Sequence, residues 1–239
     1  MGSVVPIPYT ELVIRKASDL SFPAAPRRRK GTETSYAAAW DDIQRDLTWI
    51  SQEIQHGREQ DAEEETFQIA LELLSFLYSC GAEPKTWQAW AELASIGSRI
   101  RGTALDAVSY AVLSGIPRIP PDMQNPPPSS DIQATVLWKL AVEPSLPLPD
   151  TRRADDFAEA WLRLSVSIPA QRHADTETSL QSLADFWIQE DEEWDLFIPR
   201  SYPCFDPYVC AAAALACRGG YRPSRLSATA RLFLDPGLT

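Results

Sequence analysis

Histidine, glycine and cysteine are scarce in this chain, whose 239 residues include two, ten and four of them. The two histidines, His56 and His173, lie far apart, and no G-x-S-x-G elbow accompanies either, so no nucleophile setting of the hydrolase type is visible. The glycines build no phosphate loop and no G-x-G-x-x-G turn, and H-E-x-x-H and calcium-loop patterns are missing, so no cofactor is expected. Cys204, Cys210 and Cys217 are spaced C-x5-C-x6-C, unlike the close pairs of a zinc site, and no metal ligands are nominated. Cys210 and Cys217 share a helix face about 10 Å apart along the axis, too far for a disulfide and suited to tight helix packing. With Cys80 the four thiols are too few for a disulfide framework, which points to a reducing compartment.

Long apolar runs are lacking too. The longest, residues 208–217, is about half of what a bilayer span requires, and no basic start leads into an apolar stretch as in a secretory signal. A soluble, cytoplasmic protein without membrane contact is the expectation. Basic charge is in deficit: 33 Asp plus Glu stand against 22 Lys plus Arg, a net charge of −11. An acidic chain is a poor match for nucleic acid and a good one for a basic protein surface.

What the chain does have is helical periodicity. Residues 1–34 are set apart by six basic against three acidic side chains, a net +3, and by Pro6, Pro8, Pro23 and Pro26. They read as an extended basic arm, with one short strand at Leu12–Arg15. Arg27, Arg28, Arg29 and Lys30 within it have the composition of an import signal or phosphate contact, although such runs are more often solvated linkers. The remaining chain, net −14, reads as one helical domain over 35–239. Trp40, Ile43, Leu47, Ile50 and Ile54 step by three and four residues, the stripe of an amphipathic helix. A second helix carries Phe67, Leu71, Leu74 and Tyr78 and ends at Gly81. Pro84 opens a third with Trp87 and Trp90, and a fourth covers 103–114. Prolines 117, 120, 121, 126, 127 and 128 interrupt regular structure and offer a possible subdivision at 116–130. Ser130 is placed as the cap of a fifth helix, and Asp155 and Asp156 open a sixth, ended near Pro169. A seventh runs from about Thr178 to Trp194, with His173 left in a polar loop. Asp206-Pro207 starts an eighth, alanine-rich helix, and Ser227 caps a short ninth. Helix pairs recur without a fixed period, so the expectation is an irregular all-α bundle of roughly nine helices rather than a repeat array.

Between Asp175 and Asp195 stand eight carboxylates and neither Lys nor Arg. The densest part is Glu190, Asp191, Glu192, Glu193, Trp194 and Asp195. These carboxylates repel one another and oppose the dipole at the C-terminal end of a helix. An electrostatic docking surface with Trp194 as anchor accounts for that cost; a solvated acidic helix end is the plain alternative. Residues 41–65 form a second acidic concentration, nine carboxylates against Arg45 and Arg58. Arg200, Arg218, Arg222, Arg225 and Arg231 reverse the sign near the C-terminus and are expected to pair with the acidic helices.

The run Cys204-Phe205-Asp206-Pro207-Tyr208-Val209-Cys210, its alanines through Ala216, Gly219-Gly220, and Leu232-Phe233-Leu234-Asp235-Pro236-Gly237-Leu238 resembles the closing helix pair of all-helical immunity proteins of bacterial polymorphic toxin systems. The likeness is greatest to the immunity protein 49 family and covers about 35 residues. It implies a non-enzymatic protein that binds a cognate protein toxin with a basic surface and neutralises it. A helical scaffold binding a peptide in an aromatic-lined groove that includes Trp87 and Trp90 is the alternative.

Overall fold

The computed structural model describes residues 8–21, 33–116, 131–148, 155–194 and 206–234. Within them the chain is all-α, with ten helices and no strand. They are α1 (Tyr9–Ser18), α2 (Glu33–Gln55), α3 (Glu59–Ser79), α4 (Pro84–Arg101), α5 (Ala104–Leu113), α6 (Ile132–Ala141), α7 (Asp156–Ser167), α8 (His173–Trp194), α9 (Pro207–Arg218) and α10 (Ala228–Leu234). The last nine follow the order expected from periodicity and capping residues.

Local chemistry explains most boundaries. Asp131, Asp155 and Asp206 each accept a backbone N–H of the first turn, from Ala134 at 3.2 Å, Ala158 at 2.8 Å and Val209 at 2.7 Å. Each satisfies a donor that the helix itself leaves unpaired. The cap of α6 is thus Asp131, one residue beyond the serine expected to fill that role. Ser227 Oγ accepts from Ala230 N at the start of α10. Gly81 takes a φ of 65° just past α3, a left-handed conformation that costs a residue without Cβ little.

Residues 9–18 correct the extended-arm expectation: they are helical, with no strand at Leu12–Arg15. Tyr9, Val13 and Ala17 recur every fourth position, and Val13 and Ala17 are buried against the body. The helix docks on α3 and α4 at Gly97, where a Cβ would lie 2.6 Å from the Tyr9 hydroxyl and 2.5 Å from Phe67. Only glycine at position 97 permits that approach. The basic run Arg27–Lys30 and prolines 117–128 lie outside the described residues.

From α2 to α8 each helix packs on the next in sequence, and α5 and α6 are in contact across the proline-rich segment. Helix α9 is the closing member, set against α5, α6 and α8. Its Val209, Cys210, Ala211, Ala212, Ala213 and Ala216 are buried, small side chains that let neighbouring helices come close. Cys210 lies 3.2 Å from the Tyr78 hydroxyl, between α9 and α3. Trp90, Trp138 and Trp161 are fully buried in the same continuous core.

Candidate partner-binding surface

Helices α7 and α8 form an antiparallel hairpin. At its closed end Thr176 donates to Ser167 Oγ at 3.0 Å, and at its open end Phe157 meets Phe186 with ring centroids 4.5 Å apart. Opposite Phe157, α8 continues from Trp187 to Trp194, about 10 Å at 1.5 Å per residue. Glu190, Asp191, Glu192, Glu193 and Trp194 therefore occupy its last turns, while their side chains and the whole of Asp195 lie outside the described residues.

The hairpin brings to this end a set of groups that are distant in sequence. Asp155, Asp156 and Glu159 belong to the cap and first turn of α7 and are exposed, as is Asp185 on α8. Glu159 pairs with Arg163 at 2.6 Å, and Asp185 accepts from Gln181 Nε2 at 2.7 Å. Among the described residues no cation pairs with Asp155, Asp156 or Asp185.

Aromatic rings fill the space between these carboxylates. Phe157, Phe186 and Trp187 touch pairwise, Phe186 standing perpendicular to Trp187 at 5.6 Å and Trp187 lying 6.4 Å from Phe157. Phe186 is 38% exposed. Trp49, Ile100 and Val166 are exposed to a similar or greater degree, but none joins a ring cluster among the described residues. Phe157, Phe186 and the carboxylates Asp155 and Asp156 were not singled out as site residues from sequence. A signal was present: Phe186 and Trp187 are consecutive, hence about 100° apart around a helix, and the Leu180–Leu183–Trp187 stripe leaves Phe186 outside.

The other end of α8 uses its charge internally. Glu177 is buried and accepts from Ser224 N at 2.6 Å and Arg225 N at 2.5 Å, holding the turn after α9. Burial works to raise its carboxyl, but the backbone N–H groups of Arg225 and Ser224 and the neighbouring hydroxyls leave it below the ordinary glutamate range. Asp175 pairs with Arg172 at 3.4 Å. Of the eight carboxylates between 175 and 195, Glu177 is thus buried and Asp175 is paired at the surface. The concentration at 41–65 is partly matched as well, through Asp42–Arg45, Glu53–Arg58 and Glu64–Arg101.

Among the described residues, Arg218, Arg222 and Arg231 bond to backbone carbonyls rather than pairing with the acidic helices as expected. Arg218 donates to Val112 O, a carbonyl at the end of α5 that also accepts from Gly115 N, Arg222 to Cys217 O and Tyr221 O, and Arg231 to Ser224 O. Arg200 lies outside the described residues.

The remaining candidates have structural settings. His56 is exposed just past α2, and His173 is exposed as the first residue of α8 rather than in a loop, 6.1 Å from the Tyr221 ring. Cys80 and Cys210 are buried and burial pushes the Cys80 thiol up to about 12; Cys204 lies outside the described residues. Trp87 and Trp90 are buried, Trp87 edge-on to Tyr78 at 5.7 Å, so they line no groove. Among the described residues no three His, Cys, Asp or Glu side chains gather as a metal site, and no helix is long and apolar enough to cross a membrane. No family model, curated protein or solved structure matches the chain.

Proposed function

We propose that this protein is a non-enzymatic, immunity-type binding protein that captures a basic protein partner, a cognate toxin, at the open end of the α7–α8 hairpin. One observation carries the reading. The hairpin collects Asp155, Asp156 and Asp185, without a cationic partner among the described residues, at the end where α8 runs on through Glu190, Asp191, Glu192 and Glu193. Carboxylates gathered at a helix end attract a basic partner and accelerate its capture. That the partner is a toxin follows from the resemblance of the C-terminal segment alone. The groove-binding alternative loses its two designated tryptophans to the core.

The test is association with a secreted toxin, sought in the reading frames that neighbour this one, followed by stopped-flow mixing and toxin activity. The reading expects a complex that blocks activity and associates more slowly as salt rises to about 0.15 M. Reversing Glu192 and Glu193 to lysine is expected to slow association about tenfold or more, with dissociation changed less. Unchanged association removes this surface from the account.

A further inference from the structure

The ring cluster at the hairpin's open end has a geometry that the acidic charge alone does not require. Phe157 and Phe186 are tilted at 41° with centroids 4.5 Å apart, Trp187 stands edge-on to both, and Phe186 is the exposed member. Exposed carboxylates lie on both helices beside it: Asp155 and Asp156 at the start of α7, two residues and one residue before Phe157, and Asp185 directly before Phe186. An aromatic face attracts a cation that lies flat on it, and a carboxylate at the rim accepts that cation's N–H groups. The planar guanidinium satisfies both at once because it stacks through its face and donates through its edge. A lysine ammonium is compact and strongly hydrated, and gains mainly from the charge. The fold already contains such a pairing on another surface, where Arg101 lies over the Phe67 ring at 4.6 Å while it pairs with Glu64.

We propose that the Phe157–Phe186–Trp187 cluster is an anchor site for an arginine side chain of the protein partner, so that the partner surface is rich in arginine rather than merely basic. The site deepens the proposed function and rests on it. The acidic rim supplies long-range attraction that any cation feels, and the rings supply the preference for guanidinium.

Two probes of equal charge, octaarginine and octalysine, separate these contributions by titration with the full chain at low salt. Octaarginine is expected to bind about tenfold more tightly than octalysine. Phe186→Leu, which keeps an apolar side chain and removes the aromatic face, should erase most of that preference while leaving octalysine affinity unchanged. Phe157→Leu should do so in part. Asp185→Asn should weaken both peptides alike. Equal binding of the two peptides to the wild type leaves the acidic surface standing and overturns the anchor; failure of both to bind overturns the surface as well. A large fall in melting temperature for Phe186→Leu with the arginine preference intact would identify the cluster as packing covered by the chain itself, and also overturns the proposal.

Discussion

The two ends of the α7–α8 hairpin are built from the same residue types and use them in opposite ways. At the closed end Glu177 is buried on two backbone N–H groups, Asp175 meets Arg172, and Gln171 Nε2 reaches Gly219 O at 3.4 Å. Glu177 and Gln171 there join this end of the hairpin to the segment around α9, and the Asp175–Arg172 pair is local to the start of α8. At the open end Asp155, Asp156, Asp185 and the Phe186 ring are exposed, and Asp155, beyond capping α7, finds no cation among the described residues. A run of acidic sequence is therefore no unit of function by itself. Glu177 is buried and spent on backbone N–H groups, whereas Asp185, on the same helix, is exposed and has no cationic partner among the described residues.

The largest expected break in this contrast is Glu177→Ala. It strands the Ser224 and Arg225 N–H groups that a charged acceptor now satisfies, and should cost about 2–3 kcal/mol in chemical denaturation. Loss of less than about 0.5 kcal/mol would show that the closed end is not structural in this sense. Changes in pH sharpen the same point. Because the folded Glu177 carboxyl is held below its ordinary value, its contribution is present above the unfolded glutamate value of about 4.3 and fades as pH falls below it. Asp206 runs the other way: burial, opposed by the N–H groups of Val209 and Tyr208, pushes it up to about 7. Its contribution is full below the unfolded aspartate value of about 3.9 and is lost as pH rises through about 7. Melting curves against pH should show both slopes; Asp206→Asn should flatten the upper one and leave the acid limb, which Glu177→Gln should flatten instead. The smallest expected effect is at the open end, where Asp156→Asn should change stability by no more than about 0.5 kcal/mol because an exposed carboxylate at a helix start interacts mainly with the dipole.

Most helices after residue 33 were legible in sequence because local chemistry marks them: Pro84 at a first helical position, Asp206-Pro207 as cap and opener, Gly81 past an end. Helix α1 was not, since four prolines dominate residues 1–34 and the helix has only ten residues. Its three-residue apolar stripe acquires meaning only when Tyr9 settles over Gly97. The roles of the late arginines were equally hidden. Arg218 answers a carbonyl at the end of α5, and that pairing exists only once α9 lies on α5. For the candidate surface, Glu190–Glu193 were evident as composition, whereas Asp155, Asp156 and Phe157 join them only through the antiparallel turn after Ser167. The removal of Asp175 and Glu177 from the acidic group likewise depends on contacts that charge counting does not contain.

The most direct measurement of the central claim is amide hydrogen exchange of the full chain with and without octaarginine. The account predicts slowed exchange confined to residues 155–159 and 185–194, with the closed end and the acidic residues 41–65 unchanged. Protection centred on 41–65, or spread evenly over both acidic regions, would contradict it.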